Sequence, residues 1–513
     1  MVLNIFTSPD ALDSIQAGIL PFILSIGLFI GFVILEFKLL KKIQNLPLYK
    51  KKKLNAKISK LIFIPFLLII VSEKVSFGMA TLFSKNALII PFKVIPLYQP
   101  LTFNKIASRH FGFSAEKQAQ FSLKTNSDLN YPLQSIVLDN NPIDFPIFII
   151  ASDSVKYSAV NTELTPNVMK FSKDALVFQN HYSGGNSTRF GIFSLIYGLN
   201  ATYWFSFLNS NQKPVLFDVL QKRNYDISIF SSTNTNWPEF RKTCYVNIQN
   251  KITDKFEGAP WKKDAQSTAC FIENISNNNI QQKRFSFIFL DSPHGYSYPP
   301  NANIFNAPDG EVNYLAITKE SEELHTIEKR YKNAVHYNDM LFGQMIDALK
   351  ENNLYDNALI IYTSDHGQEF FEQGNFGHNT AFSRPQTHIP MFIKLPKSLQ
   401  HKIWIQNINT TLTSHQDIVP TLLNLLGVQN QTSEYSNGKN IFSKNYHRDY
   451  VFSANWNNNA IITKDMISVF SNLPNKIFSN EVRNAQTYNL EKEQKTNSQY
   501  LLDIIQENKK FLK

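Results

Sequence analysis

The sequence predicts an α/β domain with a mostly parallel central sheet, preceded by an N-terminal membrane region. Between about residues 144 and 395, short β-rich runs alternate with stretches of helical periodicity. This alternation is typical of a parallel sheet with helices on both faces. Two long apolar segments precede these runs, within residues 1–85. From about His447 the pattern changes to short β-like runs, which predict a small C-terminal subdomain.

The two apolar segments, residues 17–40 and about 61–83, are long enough to cross a bilayer as helices. The second contains Glu73 and Lys74, so a half-embedded helix is the alternative there. The loop 41–60 between them has eight lysines and no acidic residue, which places it in the cytoplasm by the positive-inside rule. With two crossings, everything after residue 85 is expected on the outer side of the membrane, which in a Gram-negative cell is the periplasm.

The composition and the location of the charge favour membrane partners over nucleic acid. The chain has 513 residues, an apolar content of 43% and a formal net charge of +10, and its size predicts more than one unit. Most of the net charge lies in the lysine loop, and no nucleic-acid motif accompanies it, so nucleic acid is not expected as a partner. Residues 86–140, with a mix of aromatic and basic residues, are interpreted as an interfacial linker, and residues 141–513 as the periplasmic domain.

Within the periplasmic domain, the apolar runs define the expected elements. The expected strands are 146–151, 226–231, 285–291, 358–362 and 391–395, and the last two are interpreted as buried parallel strands. Thr165 and Pro166 are expected to open a helix as cap residue and N1 proline. The clearest helical face is formed by Tyr331, Val335, Leu341, Met345 and Leu349.

Polar residues suited to a metal site occur at three predicted strand ends. They are Asp153, the Asn186-Ser187-Thr188 turn, and the pair Asp365-His366. In an open α/β sheet, ligand-binding and catalytic residues lie at the carboxyl ends of the strands. Carboxylate oxygens with one imidazole suit a single divalent ion, either Mg²⁺, Mn²⁺ or Zn²⁺. The predicted metal ligands are Asp153, Thr188, Asp365 and His366.

The same positions predict a nucleophile with its proton donors. Thr188 stands at the start of a predicted helix, where a metal-bound hydroxyl becomes a nucleophile and backbone N–H groups hold a phosphate. His294 and His378 are predicted to donate a proton to the leaving oxygen or to bind substrate oxygens. Ser187 is the alternative hydroxyl, and His294 and His388, each beside a proline segment, are alternatively structural.

A set of ordered motifs then gives a resemblance. The segments GGNSTRFGIFSLIYG, NALIIYTSDHGQEF, THIPMFIKLP, HQDIVPTLLNLLG and TYNLEKE occur in this order within residues 144–495. Together they resemble the alkaline phosphatase/sulfatase superfamily. The resemblance implies an α/β sandwich, with the metal acid on Asp153, the nucleophile on Thr188 and the Asp-His metal pair on Asp365 and His366. It also implies that His294 and His378 correspond to the further histidines found in the lipid-directed transferases of this superfamily.

Within that superfamily the chain resembles the YejM (PbgA) type of inner-membrane protein, through PLYQPLTFNKIASRHFGF and TSEYSNGKNIF. This implies a periplasmic hydrolase-like domain on a transmembrane bundle. The implied partners are lipid A or lipopolysaccharide, cardiolipin or phosphatidylethanolamine, and other inner-membrane proteins. The sequence differs from sulfatases and from the YejM type in three ways that bear on its function. The chain has no C/S-x-P-x-R motif, Ser154 replaces the second acid of a sulfatase pair, and the membrane part is shorter than the usual five crossings.

The expected function is metal-dependent hydrolysis of phosphoesters, connected with lipid A, lipopolysaccharide or cardiolipin homeostasis. One alternative is a transferase of phosphoethanolamine to lipid A, and another is a non-enzymatic lipid sensor that regulates lipopolysaccharide synthesis. Sulfate ester hydrolysis is disfavoured by the missing motif, and a second metal site by Ser154. Cys244 and Cys270 either pair in the oxidising periplasm or remain two buried thiols.

Overall fold

The computed structural model describes residues 129–140, 143–277, 283–400, 408–472 and 481–513, with residues 70–77, residue 403 and scattered positions between 27 and 47. The chain forms two compact units, one of Ala17–Phe121 and one of Ser122–Lys513 with Met1–Gln16. In the smaller unit, residues 70–77 are helical. Most of the predicted spans 17–40 and 61–83, and residues 86–128 of the predicted linker, lie outside the described residues. None of the described helices combines the length and the apolarity that crossing a bilayer requires.

The larger unit contains the predicted α/β domain. In chain order its strands are β1 (Ile147–Ser152), β2 (Leu176–Val177), β3 (His181–Tyr182), β4 (Asp226–Ser231), β5 (Ile252–Thr253), β6 (Arg284–Leu290), β7 (Leu359–Ser364), β8 (Glu369–Phe370), β9 (Phe376–Gly377), β10 (Met391–Lys394), β11 (Thr413–Ser414), β12 (Val451–Ala454), β13 (Asn458–Ile462), β14 (Met466–Ser471) and β15 (Glu481–Asn484). Its helices are α1 (Pro166–Phe171), α2 (Thr188–Tyr197), α3 (Trp204–Ser210), α4 (Val215–Lys222), α5 (Pro260–Asn277), α6 (Glu322–Glu351), α7 (Arg384–Thr387), α8 (Ile418–Leu425) and α9 (Ser498–Glu507).

The central sheet has seven strands in the order β2-β10-β7-β1-β6-β4-β5. The pairs of β1 with β6 and β7, and of β4 with β5 and β6, are parallel. The predicted mostly parallel sheet is therefore confirmed. Strands β7, β1 and β6 are neighbours at its centre, so the residues that follow them meet at one edge.

Strand β10 departs from the prediction because it runs antiparallel to β7. A parallel return would need a crossover connection, usually a helix that carries the chain back to the other edge. The segment 365–390 contains only the β8–β9 hairpin and the short helix α7. The chain therefore stays at the carboxyl edge of the sheet and enters β10 from there, which brings His388 to that edge.

The apolar side chains of the central strands pack into hydrophobic clusters on both faces of the sheet. In β1, Ile147, Ile149 and Ala151 pack into one hydrophobic cluster, whereas Phe148 and Ile150 pack into another. Helices α2, α4 and α8 contribute to the first cluster and helices α5 and α6 to the second. Side chains of a strand alternate between faces, so a strand that is covered on both sides must be apolar throughout.

The predicted helical face in 331–349 is confirmed. All five of its residues are buried and lie within the thirty-residue helix α6. Pro166 stands at the first position of α1, as predicted, but the Thr165 side chain makes no capping hydrogen bond. Its hydroxyl donates instead to the Asn161 carbonyl at 3.0 Å.

Two further features bear on domain organisation. Residues 129–140, which the sequence places in the linker, contact the domain: Tyr131 is buried in the first hydrophobic cluster, and Leu138 pairs with Val428. The expected C-terminal subdomain is an antiparallel sheet in the order β12-β13-β14-β15. Cys244 and Cys270 are free thiols, because Cys244 is buried in the first cluster whereas Cys270 packs against the second, on the other face of the sheet.

Candidate metal centre and nucleophile

The candidate site lies at the carboxyl edge of the three central strands. Asp153 directly follows β1, and Asp365 and His366 directly follow β7. All three side chains are buried, and each offers a ligand atom that lies within 4.8 Å of the other two. His366 Nε2 lies 3.3 Å from Asp365 Oδ2 and 3.6 Å from Asp153 Oδ1. The structure thus brings together three residues that are far apart in the chain.

Thr188 completes this group. Ser187 is in extended conformation and Thr188 is the first residue of α2. The Thr188 hydroxyl lies 3.3 Å from Asp153 Oδ2 and 3.2 Å from His366 Nε2. The Ser187 hydroxyl, in contrast, is buried and has no hydrogen-bond partner among the described residues. Of the two hydroxyls that the sequence offered, only that of Thr188 therefore faces the cluster.

Backbone groups orient the Asp-His pair. Asp365 Oδ1 accepts hydrogen bonds from the backbone N–H groups of Ser154 and His366, at 3.1 and 2.7 Å. His366 Nδ1 lies 2.9 Å from the Gly367 carbonyl. Since a carbonyl only accepts, Nδ1 carries the proton and Nε2 presents its lone pair to Asp153 and Thr188. Burial also lowers the pKa of His366, which favours the neutral form that a metal ligand needs.

The buried carboxylates repel one another. Burial, and then the charge of Asp365, raise the pKa of Asp153. Burial raises the pKa of Asp365 to about 7. Asp365 Oδ2 is buried and makes no hydrogen bond to any described residue. A divalent cation would neutralise these charges and fill the coordination of that oxygen, so the residues present fit such an ion.

The two other predicted histidines extend the site in a row. The His378 ring centroid lies 4.5 Å from that of His366, and the His294 centroid lies 5.3 Å from that of His378. His378 Nδ1 contacts Gln368 Oε1 at 2.8 Å, so the proton on Nδ1 is donated to the amide oxygen and Nε2 stays available. The structure therefore places all six predicted site residues at one edge of the sheet.

Sequence reasoning missed the acid that stands beside this row. Asp291 directly follows β6, and its Oδ1 lies 3.8 Å from His294 Nδ1. Burial, and then the charge of Asp153, hold its pKa well above the usual range. Its position at the carboxyl end of a predicted strand was the signal that could have found it. Asp264, within α5, gave no such signal, yet it accepts hydrogen bonds from the backbone N–H groups of Asp291 and Ser292 at 2.8 and 2.9 Å and fixes that loop.

A second missed group secures the start of α2. Arg189 is 4% exposed, and its guanidinium pairs with Glu239 at 2.8 Å. The guanidinium carbon also lies between 4.5 and 5.2 Å from the ring centroids of Trp204, Trp237 and Trp456. Cation–π contacts of this kind stabilise a buried guanidinium. Arg189 therefore holds the turn that presents Thr188.

Helix α2 and the Asp-His loop meet so closely that only glycine fits between them. A Cβ atom built on Gly191 would lie 2.2 Å from the Asp365 carbonyl oxygen, which is a backbone atom and cannot rotate away. Gly191→Ala should therefore displace Asp365 from Thr188. We expect a loss of about 1–3 kcal/mol in the free energy of unfolding together with weakened cation binding. Thermal melting and calorimetric titration with Mn²⁺ measure both, and unchanged values in both would contradict the predicted packing.

His388, which the sequence left as alternatively structural, lies away from the metal cluster. Its ring stacks on Tyr157 at 4.5 Å between centroids. Its Nδ1 accepts a hydrogen bond from the Arg384 guanidinium at 3.0 Å, and its Nε2 donates to the Gln179 carbonyl at 2.8 Å. Both ring nitrogens are therefore satisfied in the neutral tautomer.

This environment predicts a contribution to acid unfolding. Burial and the neighbouring Arg384 lower the pKa of His388 to about 3, from 6.5. Since the folded pKa lies below the unfolded value, stability is complete above pH 6.5 and falls as the pH drops from 6.5 towards 3. His388→Gln should remove up to about 1.4 kcal/mol per pH unit of this dependence. Urea unfolding of both proteins between pH 8 and 4 measures it, and parallel curves would contradict the assignment.

Comparison with known proteins identifies the family to which this fold belongs. The family model for sulfatases matches residues 147–428, which is more than half of the chain. The chain belongs to the sulfatase family. It is similar to the inner membrane protein YejM of Salmonella typhimurium, with 24% identity over 428 residues, and this match confirms the resemblance given by the motifs. The match covers 82% of this chain and 65% of that protein, so the chain spans just under two thirds of the relative's length.

Two other similarities are informative. The phosphoethanolamine transferase EptA of Salmonella typhimurium is 30% identical over 141 residues, which cover 26% of this chain and 25% of EptA. Among solved structures, a protein of the alkaline phosphatase superfamily from Vibrio parahaemolyticus aligns with a TM-score of 0.53 and 18% identity, over 74% of this chain and 88% of its own. At that identity the structural match establishes the shared fold alone.

Proposed function

We propose that this chain is a metal-dependent phosphoester hydrolase of the bacterial inner membrane, with Thr188 as its nucleophile. The observation that carries the proposal is the Thr188 hydroxyl, which lies 3.3 Å from Asp153 and 3.2 Å from His366 within the buried cluster completed by Asp365. A hydroxyl beside two carboxylates and a neutral imidazole combines a nucleophile with a ligand set for one divalent ion. The absence of the C/S-x-P-x-R motif favours phosphoesters over sulfate esters.

The chain's own residues would perform the reaction in two steps. Thr188 Oγ1 attacks phosphorus in line, its proton passes to Asp153, and the P–O bond to the leaving alcohol breaks. His294 donates the proton that the leaving oxygen takes up, whereas the unprotonated Nε2 of His378 is available to accept a hydrogen bond from a substrate hydroxyl or from the attacking water. Water then attacks the phosphothreonine and gives a proton to His294, which lost one in the first step. The bond between phosphorus and Thr188 Oγ1 breaks, Asp153 returns its proton to Oγ1, and phosphate is released. A divalent ion on Asp153, Asp365, His366 and Thr188 would supply charge stabilisation to the phosphoryl oxygens.

The proposal also includes the cellular location of the domain and its partners. The lysine loop 41–60 supports an orientation in which the sulfatase-family domain is periplasmic. The similarity to YejM, an inner membrane protein, supports the location. We propose membrane lipids as partners, namely lipid A or lipopolysaccharide, cardiolipin or phosphatidylethanolamine, together with other inner-membrane proteins. Residues 1–85 as a two-helix membrane region and residues 86–128 as a linker belong to this proposal.

A transferase is the second candidate. The similarity to the phosphoethanolamine transferase EptA supports it. The first step would be the same, and a hydroxyl of lipid A, in place of water, would accept phosphoethanolamine from Thr188. The two functions therefore differ in the acceptor and share the metal ligands and the nucleophile.

One experiment separates hydrolase, transferase and sensor. The full chain in detergent is incubated with Mg²⁺, Mn²⁺ or Zn²⁺ and with bis-p-nitrophenyl phosphate or labelled phosphatidylethanolamine, with and without lipid A. Release of nitrophenol or labelled phosphoethanolamine to water supports the hydrolase, and label on lipid A indicates the transferase. The lipid sensor predicts a different set of results: the chain binds no metal and turns over neither substrate. In addition, both Thr188→Ala and Asp365→Asn fully complement a deletion of the gene. These results together would overturn both enzymatic proposals.

A further inference from the structure

A cavity of about 590 Å³ opens beside the metal cluster, and the proposed reaction does not use it. The loop after β1 contributes Lys156 and Tyr157, the β8–β9 hairpin contributes Glu372, the segment before β10 contributes Arg384 and His388, and the turn after β15 contributes Gln486. Its volume lies within the usual range for small-molecule sites.

The cavity is separated from the metal cluster by one tight contact. Gly367, which directly follows His366, lies between them: a Cβ on Gly367 would meet the Pro385 carbonyl oxygen at 2.1 Å and the Lys156 Cβ at 3.1 Å. Both Lys156 and Pro385 line the cavity. The backbone of the Asp-His loop thus packs against two residues of the cavity lining, and no residue of the metal cluster is part of that lining, so the cavity is a distinct site.

The charges in this cavity favour an anion. Lys156 and Glu372 form an ion pair. Arg384 forms no ion pair with a carboxylate in the described part of the chain. Its guanidinium donates to the Tyr182 hydroxyl and to His388 Nδ1, both at 3.0 Å. A guanidinium has five N–H donors, so three remain after these two bonds to described residues, and the two bonds fix its orientation.

The rest of the lining is neutral and rich in hydrogen-bonding groups. The amide side chains of Gln179, Asn180, Gln373 and Gln486 and the hydroxyl of Ser158 border the cavity. Tyr157 stacks on His388, which in turn lies 5.1 Å from Tyr182, so one face of the Tyr157 ring is left free of this stack. An aromatic face with surrounding amides complements a sugar ring, which presents C–H groups to the ring and hydroxyls to the amides.

We propose that this cavity binds an acidic saccharide, a sugar ring carrying one carboxylate or phosphate group. Arg384 binds the anionic group, Tyr157 packs against the ring and the amides bind the hydroxyls. The site is independent of the chemistry at Thr188, because the Asp-His loop separates the two.

The test is calorimetric titration of the full chain in detergent, in the Thr188→Ala background so that no probe is turned over. The probes are glucuronate, glucose 1-phosphate, neutral glucose and inorganic phosphate. Glucuronate, glucose 1-phosphate or both should bind at least about tenfold more tightly than glucose and phosphate. Arg384→Gln should weaken that binding by about tenfold or more, the loss expected for a charge-assisted hydrogen bond. The matched control is Arg330→Gln, which removes an arginine whose guanidinium, among the described residues, donates to the Pro308 and Gly310 carbonyls.

Three outcomes would overturn the proposal. These are no binding of either acidic sugar at millimolar concentration, equal affinity in Arg384→Gln and the parent, and inorganic phosphate binding as tightly through Arg384 as the sugars do. If melting shows that Arg384→Gln is unfolded, Tyr157→Ala decides in its place: the acidic sugars should then lose affinity whereas inorganic phosphate should not. Unchanged sugar affinity in Tyr157→Ala would count against the site.

Discussion

Thr188→Ala should lower phosphoester turnover by about 10⁴-fold or more, because it removes the atom that is proposed to attack phosphorus. The Thr188 hydroxyl contacts both Asp153 and His366, and no other side chain of the GGNST turn is placed to substitute for it. Thr188→Ser keeps the oxygen and should retain part of the activity. Steady-state hydrolysis of bis-p-nitrophenyl phosphate by the full chain in detergent measures each variant.

The adjacent residue provides the control. Ser187→Ala removes a buried hydroxyl that has no partner among the described residues, one position away in the chain. It should therefore leave turnover within a few-fold of the parent protein. The reverse pattern, an inactive Ser187→Ala beside an active Thr188→Ala, would show that the other hydroxyl is the nucleophile. Mass spectrometry of a quenched reaction should place the phosphoryl group on the peptide that contains residue 188.

Asp365→Asn should weaken divalent-cation binding by at least about 100-fold, which exceeds the loss typical of a group that only supports a ligand. The change removes one of the two carboxylates in the cluster and leaves a neutral amide facing Asp153. It also relieves the repulsion that raises the pKa of Asp153, so the cation-free variant should be at least as stable as the parent. Elemental analysis after dialysis against each metal, and melting with and without it, measure both effects.

The control here is another buried aspartate with the same change. Asp339 is 2% exposed and accepts hydrogen bonds from the backbone N–H groups of Asn167 and Val168 at 2.9 and 2.8 Å. Asp339→Asn should reduce stability, because it replaces an acceptor oxygen with a donor, and should leave the bound-metal stoichiometry unchanged. Equal loss of metal in both variants would mean that the effect arises from general destabilisation.

The sequence predicted the centre of the fold because the central strands are covered on both faces. The apolar runs that became β1, β4, β6 and β7 are unmistakable for this reason, and the predicted bounds differ from the observed ones by two residues at most. The direction of β10 was not predictable from its composition, since a buried strand is apolar whichever way it runs. Only the short segment 365–390, too compact for a crossover, carries that information.

The positions of the predicted strand ends also explain which residues of the site could be predicted from the sequence and which could not. Asp153, Asp365 and His366 were predicted because each lies near the carboxyl end of a predicted strand, where an open α/β sheet places its functional groups, and because the ordered motifs supported them jointly. Asp291 satisfies the same rule and was overlooked as the last residue of a strand. Asp264 was inaccessible to such reasoning, because it lies inside a helix, and only the folded chain shows that it supports the loop after β6.

The most direct test of the metal centre is anomalous diffraction from crystals of the sulfatase-family domain grown with Zn²⁺, recorded on both sides of the zinc edge. The account predicts one strong peak about 2.0–2.2 Å from oxygens of Asp153 and Asp365, with His366 Nε2 and Thr188 Oγ1 also in its coordination sphere. A well-ordered crystal with no peak there, or with its zinc bound at other residues, would contradict the account.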